Sequence, residues 1–353
     1  MKRLRIAVAG AGVIGRRHVE IVVANNSCSL AAIVDPASPA SEIAVEVGVP
    51  LFSSLTDLFA HERPDGVIIA TPNNLHLEHG LACIAAGVPA LIEKPIADSI
   101  EAGRRLCEAA ERAQIPFLVG HHRQHSPIMA KAVDIVRSGR LGRLVAVVGT
   151  AMFYKPDSYF ADAPWRGQPG GGPILINLIH EIGSLRALCG EINLVQAFAS
   201  QAVRCLQVED TVAIGLRFAS GALGTFMLSD TAASARSWEQ TSQEDKTYAA
   251  YPDEDCYVVV GTEGSLAIPT MRLKTYADKA GRSWNTPFQN EMIEIERADP
   301  LQRQLDNFCD VIGGEADPVV SGRDGLQNLF VVEAIVQATR NGTAVPVEIA
   351  TKD

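Results

Sequence analysis

The chain has 353 residues, 47% of them hydrophobic, with 31 Lys and Arg against 41 Asp and Glu, which is the length of about two domains and the composition of a soluble globular protein. The net charge of −10 repels phosphate backbones and no basic run offsets it, so nucleic acid is not expected as a partner. No stretch reaches the ~20 apolar residues that span a bilayer, and seven scattered cysteines without a C-x-x-C suggest neither a disulfide framework nor a zinc site, so a reducing cytoplasm is expected.

The basic and apolar residues of Met1–Gly15 partly imitate a secretory signal, but glycines 10, 12 and 15 interrupt them, and no targeting segment is expected. Leu4–Ala9 is a short apolar run ending at Gly10, Val13–Ala24 has helical periodicity, and Leu30–Val34 is a second run ending at Asp35. This is one βαβ unit. Further strands are predicted at Gly66–Ala70, Pro89–Ile92 and Phe117–Gly120, with helices between them opened by capping boxes at Ser54-x-x-Asp57 and Asp98-x-x-Glu101. Strands separated by helices need crossover connections, so residues 1–121 are expected to form a doubly wound parallel sheet, a Rossmann-type α/β domain with helices on both faces.

From residue 122 the pattern changes. Leu144–Phe153 and Thr211–Phe218 read as strands, Ser220-Gly221 turns the latter into Ala222–Leu228, and residues 261–264 join Cys256–Val260 to Ser265–Ile268. Helices are predicted at Pro173–Cys189, Leu301–Gly313 and Asp324–Asn341. Hairpins imply an antiparallel sheet, so residues 122–353 are expected to form an α+β domain.

Gly10-Ala11-Gly12-Val13-Ile14-Gly15 places G-x-G-x-x-G directly between the first strand and helix. Such glycines permit a tight turn, close approach of a pyrophosphate and close helix–strand packing. Asp35 ends the next strand twenty residues after Gly15, where a carboxylate binds the adenosine ribose diol. Gly10, Gly12, Val13, Ile14, Gly15 and Asp35 are therefore the expected nucleotide site. An acid there repels a 2′-phosphate, and no arginine occurs in Pro36-Ala37-Ser38, so NAD is favoured over NADP. Thr71-Pro72-Asn73 with His76, and Glu93-Lys94-Pro95, follow the strands Gly66–Ala70 and Pro89–Ile92 at the carboxyl edge of the sheet, where ligands bind. On spacing alone Glu93-Lys94 reads equally as a solvated ion pair or as a lysine that reaches a reacting oxygen.

Gly10–Gly15 with His18, Thr71-Pro72-Asn73 with His76, Glu93-Lys94-Pro95, and Gly170-Gly171-Gly172 with His180 together resemble the glucose-fructose oxidoreductase, inositol dehydrogenase and MocA-like family over essentially the whole chain. The resemblance implies a Rossmann domain followed by a domain with an open sheet that often mediates oligomerisation, here as a homodimer or homotetramer. It implies cofactor contacts from Thr71, Pro72, Asn73, His76, Glu93 and Lys94, with Lys94 beside both nicotinamide and substrate. It also implies substrate contacts from His122, Arg123, Trp165 and His180, and no metal.

At 100° per residue Asn177, His180, Glu181 and Ser184 form a polar stripe on an otherwise apolar helix and are expected to face water or a polar cleft. Many family members carry an aspartate four residues before the histidine and an acid three after it; Ile176 and Gly183 stand there in this chain. Asn177 projects about 60° from His180 at 3.6 residues per turn and is expected to bind substrate. A neutral amide stabilises an imidazolium less than a carboxylate does, so His180 is expected to titrate at or below about 6.5. Lys155, Tyr159, Trp238, Glu239 and Tyr251 read equally as pocket or framework residues.

The expected activity is hydride transfer between NAD and a sugar, polyol or sugar-acid-like secondary alcohol, with His180 as base and Lys94 stabilising the charge that develops on oxygen. Two other readings keep the cofactor. A glycoside hydrolase that oxidises its substrate transiently returns NAD unchanged and accumulates no NADH. A regulator that binds NAD and a sugar without turnover, suggested by the missing aspartate, consumes no substrate at all.

Overall fold

The computed structural model describes residues 3–350; Met1, Lys2 and residues 351–353, which the predicted domains include, lie outside the described residues. The apolar runs of the first third become β1 (Leu4–Ala9), β2 (Cys28–Val34), β3 (Leu51–Phe52), β4 (Gly66–Ile69), β5 (Ala90–Glu93) and β6 (Phe117–Gly120). They pair in the order β3-β2-β1-β4-β5-β6, all parallel. β4, β5 and β6 are buried along their whole lengths, as strands covered by helices on both faces must be. The order reverses beside β1, which opens a crevice at the carboxyl ends of the strands.

Ser54 caps helix Leu55–His61 as expected, accepting from Asp57 N at 3.1 Å and donating to its carboxylate at 2.8 Å. The second predicted box is displaced by one residue. Ser99, extended at φ −148° and ψ 157°, caps Ile100–Ala113 and accepts from Ala102 N at 3.3 Å, whereas Asp98 lies one residue too early to reach the third helical N–H.

Packing separates the chain into two units: residues up to His125 with Pro300–Leu329, and Ser126–Asp299 with the residues from Phe330 onward. The predicted split after residue 121 assigned 300–329 to the second domain. Helix Pro300–Gly313 instead lays Leu305, Phe308 and Cys309 into the core formed with Ile6, Val8, Val22 and Ile33. Phe308 and Ile312 fill the space beside Gly66 that any side chain there would occupy. Helical periodicity identifies an apolar face, not the surface that covers it.

In the second unit, β7 (Leu144–Met152), β8 (Ile192–Ser200), β9 (Thr211–Phe218), β10 (Leu223–Ser229), β11 (Tyr257–Gly261), β12 (Gly264–Ile268), β13 (Arg272–Thr275), β14 (Gln289–Met292) and β15 (Val345–Pro346) form one sheet. Its order is β14-β13-β12-β11-β7-β10-β9-β8-β15, antiparallel throughout except for β7 and β10. Both predicted hairpins, β9–β10 and β11–β12, are present with no strand end shifted by more than one residue. Register places Val147, Leu216, Val259 and Leu266 on one face, and they are buried. The opposite face carries Val148, Leu223, Met227 and Phe198, all exposed. Among the described residues, no helix is long and apolar enough to cross a membrane.

Candidate active site

Three glycines at the end of β1 divide the work of the turn. Gly10 adopts φ +91°, and a Cβ on it would meet Ala70 O at 2.5 Å; a Cβ on Gly15 would meet Gly10 O at 1.9 Å. Both are backbone contacts that no side-chain movement relieves, so they hold the helix tightly to the sheet. Gly12 differs, since a Cβ there would meet nothing within 4 Å. It is the N-cap of helix Val13–Ala24, and no side chain caps that end. The open N–H groups and the space above Gly12 fit a pyrophosphate. Val13, 90% exposed, and half-buried Ile14 continue this surface. Asp35 is fixed beside the loop, its Oδ2 accepting from Ala11 N at 2.7 Å and its Oδ1 from Ala37 N at 2.8 Å. Each carboxylate oxygen keeps a lone pair for a ribose hydroxyl.

At the same sheet edge His76 is fully buried, and its ring lies between Thr71 O (2.9 Å from Nε2) and Pro95 O (2.8 Å from Nδ1). It joins the Thr71-Pro72-Asn73 turn to the Lys94-Pro95 segment, whose peptide bond is cis. Burial lowers the imidazole's pKa although both carbonyls favour its charged form. The neutral ring that burial favours donates to only one of the two carbonyls, and His76, with no exposed surface, packs between these two segments. Pro72 and Asn73 are exposed, and Thr71 Oγ1 lies 3.0 Å from His79 Nδ1.

Glu93 is buried at the end of β5, which rules out the solvated ion pair. Its Oε1 lies 2.7 Å from His18 Nε2, and its Oε2 accepts from Lys94 N at 3.2 Å. Burial pushes its pKa up, but the hydrogen bond and charge of His18, with Lys94 and His122, outweigh burial and hold the carboxyl below its usual range. The carboxylate therefore ties the helix after the glycine loop to the loop carrying half-buried Lys94. His122, half-buried, and Arg123, buried, follow β6 in the short turn His122–His125.

In the second unit the predicted helix Pro173–Cys189 forms without a break, but Ile174–Leu178 is a π-helical turn that runs directly into α-helix Ile179–Cys189. The wider turn changes the angle between successive side chains, so the 100° projection does not carry Asn177 across to His180. The polar stripe is also largely internal. Glu181 accepts from the Tyr257 hydroxyl, and Ser184 Oγ donates to His180 O at 3.2 Å; Glu181 and Ser184 are buried, and His180 is 8% exposed. Glu181 and Ser184 thus find partners inside the fold instead of facing water.

Asn177 remains half-exposed and accepts through Oδ1 from Lys155 Nζ at 2.7 Å. Lys155 stands over the Tyr159 ring at 4.6 Å and 3.9 Å from Asp230 Oδ2; Asp230 Oδ1 accepts from Arg204 Nε at 2.9 Å. Glu209 Oε1 accepts from Ile174 N at 2.9 Å and so holds the start of the π-helical turn; burial raises its pKa. Trp165 is exposed, and the neighbouring Arg166 stacks on Tyr159 at 3.9 Å. Trp238 is buried and donates to Glu244 at 3.1 Å, a framework role, and Tyr251 is exposed. Asp230 and Glu209 carry no motif that marks them in the sequence, Asp230 being a lone acid after β10 and Glu209 half of the Glu209-Asp210 pair before β9; Lys155, closing the Phe153-Tyr154-Lys155 run after β7, offered the better signal.

A model of an oxidoreductase family with an NAD-binding Rossmann fold matches residues 4–121, and a model of the GFO/IDH/MocA C-terminal domain matches residues 129–267. The chain is 28% identical over 298 residues to 1,5-anhydro-D-fructose reductase of Ensifer adhaerens, covering 84% of each chain. It is 24% identical over 336 residues to inositol 2-dehydrogenase of Rhizobium meliloti, covering 95% of this chain and 96% of the relative. In fold it is similar to the WlbA dehydrogenase of Bordetella pertussis, solved in complex with NADH and UDP-GlcNAcA, with a TM-score of 0.78 at 24% identity over 99% of this chain and 100% of that one.

Proposed function

Since the chain belongs to the Gfo/Idh/MocA family of oxidoreductases with an NAD(H)-binding Rossmann domain, we propose that it oxidises or reduces a sugar, polyol or sugar-acid-like substrate at a CH–OH carbon, with NAD as the preferred cofactor. The observation that carries the cofactor choice is the Asp35 carboxylate fixed on Ala11 N, beside the open helix end at Gly12. The relatives named for 1,5-anhydro-D-fructose and for inositol support the substrate class.

Gly10, Gly12, Val13, Ile14, Gly15, Asp35, Thr71, Pro72 and Asn73 hold the dinucleotide in this reading, with His76 and Glu93 supporting the loops. Bound NAD supplies the hydride acceptor. His180 removes the hydroxyl proton, and the Lys94 ammonium stabilises the negative charge on the oxygen. Asn177, His122, Arg123 and Trp165 orient the substrate. No observation among the described residues favours the transient-oxidation hydrolase or the non-catalytic regulator. A screen of sugars, inositols and sugar acids for NADH formation tests the reading; tight NAD binding with no turnover on any of them counts against it.

Asp35→Ala is expected to narrow the preference for NAD over NADP by roughly tenfold, because it removes like-charge repulsion of the 2′-phosphate. The check is kcat/KM with each cofactor, and a wild-type enzyme that uses NADP as well as NAD contradicts the assignment.

The exposed face of the second sheet carries Phe198 at 66% and Val148 at 48% exposure, with half-buried Val258 and Val260 on the same face. An apolar sheet face of this kind suits a second copy of the chain, as a homodimer or homotetramer. Val148→Glu should shift the mass measured by light scattering toward the monomer; a monomeric wild type would remove this part of the proposal. The seven free thiols fit a reducing cytoplasm, and the acidic balance leaves nucleic acid outside the proposal.

A further inference from the structure

An asparagine amide accepts through Oδ1 and donates through Nδ2, and rotation about its last torsion exchanges the two faces. A partner of single polarity fixes the choice. Lys155 Nζ lies 2.7 Å from Asn177 Oδ1, and an ammonium has three donors and no acceptor, so the reversed amide would set N–H against N–H. Asn177 is half-exposed, and among the described residues its Nδ2 has no hydrogen-bond partner.

We propose that Lys155 is a positioning residue for the oxidoreductase reaction: it holds Oδ1 of Asn177 so that the amide presents its two N–H donors to an oxygen acceptor of the substrate. The inference rests on the oxidoreductase reading and adds to it the polarity of one substrate contact. Lys155 is well placed for the task. Its ammonium lies 4.6 Å from the Tyr159 ring and 5.6 Å from that of Phe153, and Asp230, anchored by Arg204, is 3.9 Å away.

The charged groups facing the ammonium are Asp230 and Glu239, which favour its charge, and Arg166 and Arg204, which oppose it; burial is the largest influence and brings the pKa down to about 8. At neutral pH the ammonium prevails. Above that value the neutral amine gains a lone pair, accepts from Nδ2, and allows the amide to turn its acceptor outward. Wild-type kcat/KM should therefore fall on the alkaline side with an apparent pKa near 8.

The test is a double-mutant cycle on kcat/KM with Lys155→Met, Asn177→Asp and the double variant, each with its pH profile. Each single change should lower kcat/KM about tenfold or more, the size of a hydrogen bond to or from a charged group. The double variant should be no worse than Asn177→Asp, because both changes remove one function. Lys155→Met should lack the alkaline limb, and Lys155→Arg should recover part of the loss. Additive effects, or an alkaline limb that survives Lys155→Met, overturn the proposal. A second measurement needs no turnover: in protein labelled with 15N-asparagine, the Asn177 side-chain amide, assigned by its loss in Asn177→Asp, should titrate near pH 8 in wild type and not in Lys155→Met. An amide that does not titrate overturns the proposal, whereas absence of NADH formation with the titration intact overturns only the oxidoreductase reading.

Discussion

Replacing Lys94 by alanine is expected to lower kcat by about 10²–10³-fold, the usual effect of removing one preorganised donor from a developing oxyanion, while leaving NAD affinity broadly unchanged. The two effects separate because the chain divides the tasks. The glycine loop and Asp35 form their own cradle around the helix end at Gly12. Lys94 stands at the end of β5, with its backbone N–H bound to the Glu93 carboxylate, so truncating its side chain leaves that support in place. Steady-state kcat at saturating substrate and a fluorescence titration with NADH measure the two quantities independently. Near-wild-type turnover would remove Lys94 from the chemistry. A large loss of NAD affinity would place the ammonium on the cofactor instead.

His180→Ala is expected to lower oxidative turnover by about 10²–10⁴-fold, the range for loss of a general base. It should also abolish the acidic limb of the pH profile. A base must be neutral to accept a proton, so the rate rises with pH through its titration and is lost as pH falls below it. Because His180 is only 8% exposed, its truncation leaves a void, and His180→Gln, which nearly preserves the volume, serves as the second variant. Thermal unfolding of both variants separates loss of fold from loss of base. If rate and pH dependence survive in folded protein, another group takes the proton, and Lys94 is the next candidate.

The parts of the molecule that the sequence by itself determined are those that a few neighbouring residues decide. An apolar run, a glycine turn and a periodic helix are local, so β1, helix Val13–Ala24 and the nucleotide loop were legible, as was Asp35, whose place follows from where its strand ends. The second sheet's hairpins were legible for the same reason, since their turns lie between the strands they join. Other features depended on which strands became neighbours. His18 meets Glu93 across 75 residues, and His76 finds Pro95 across 19 only because β4 and β5 lie side by side. Helix Pro300–Gly313 joined the first core because the helical period shows that a face must be buried without showing against what. The π-helical turn at Ile174–Leu178 breaks the 100° rule that a sequence projection assumes, and its start is held by Glu209, 35 residues away. Asn177 thus came to Lys155 rather than to His180 by way of a tertiary hydrogen bond, because the direction of a side chain is set by the backbone beneath it, and that backbone by contacts distant in sequence.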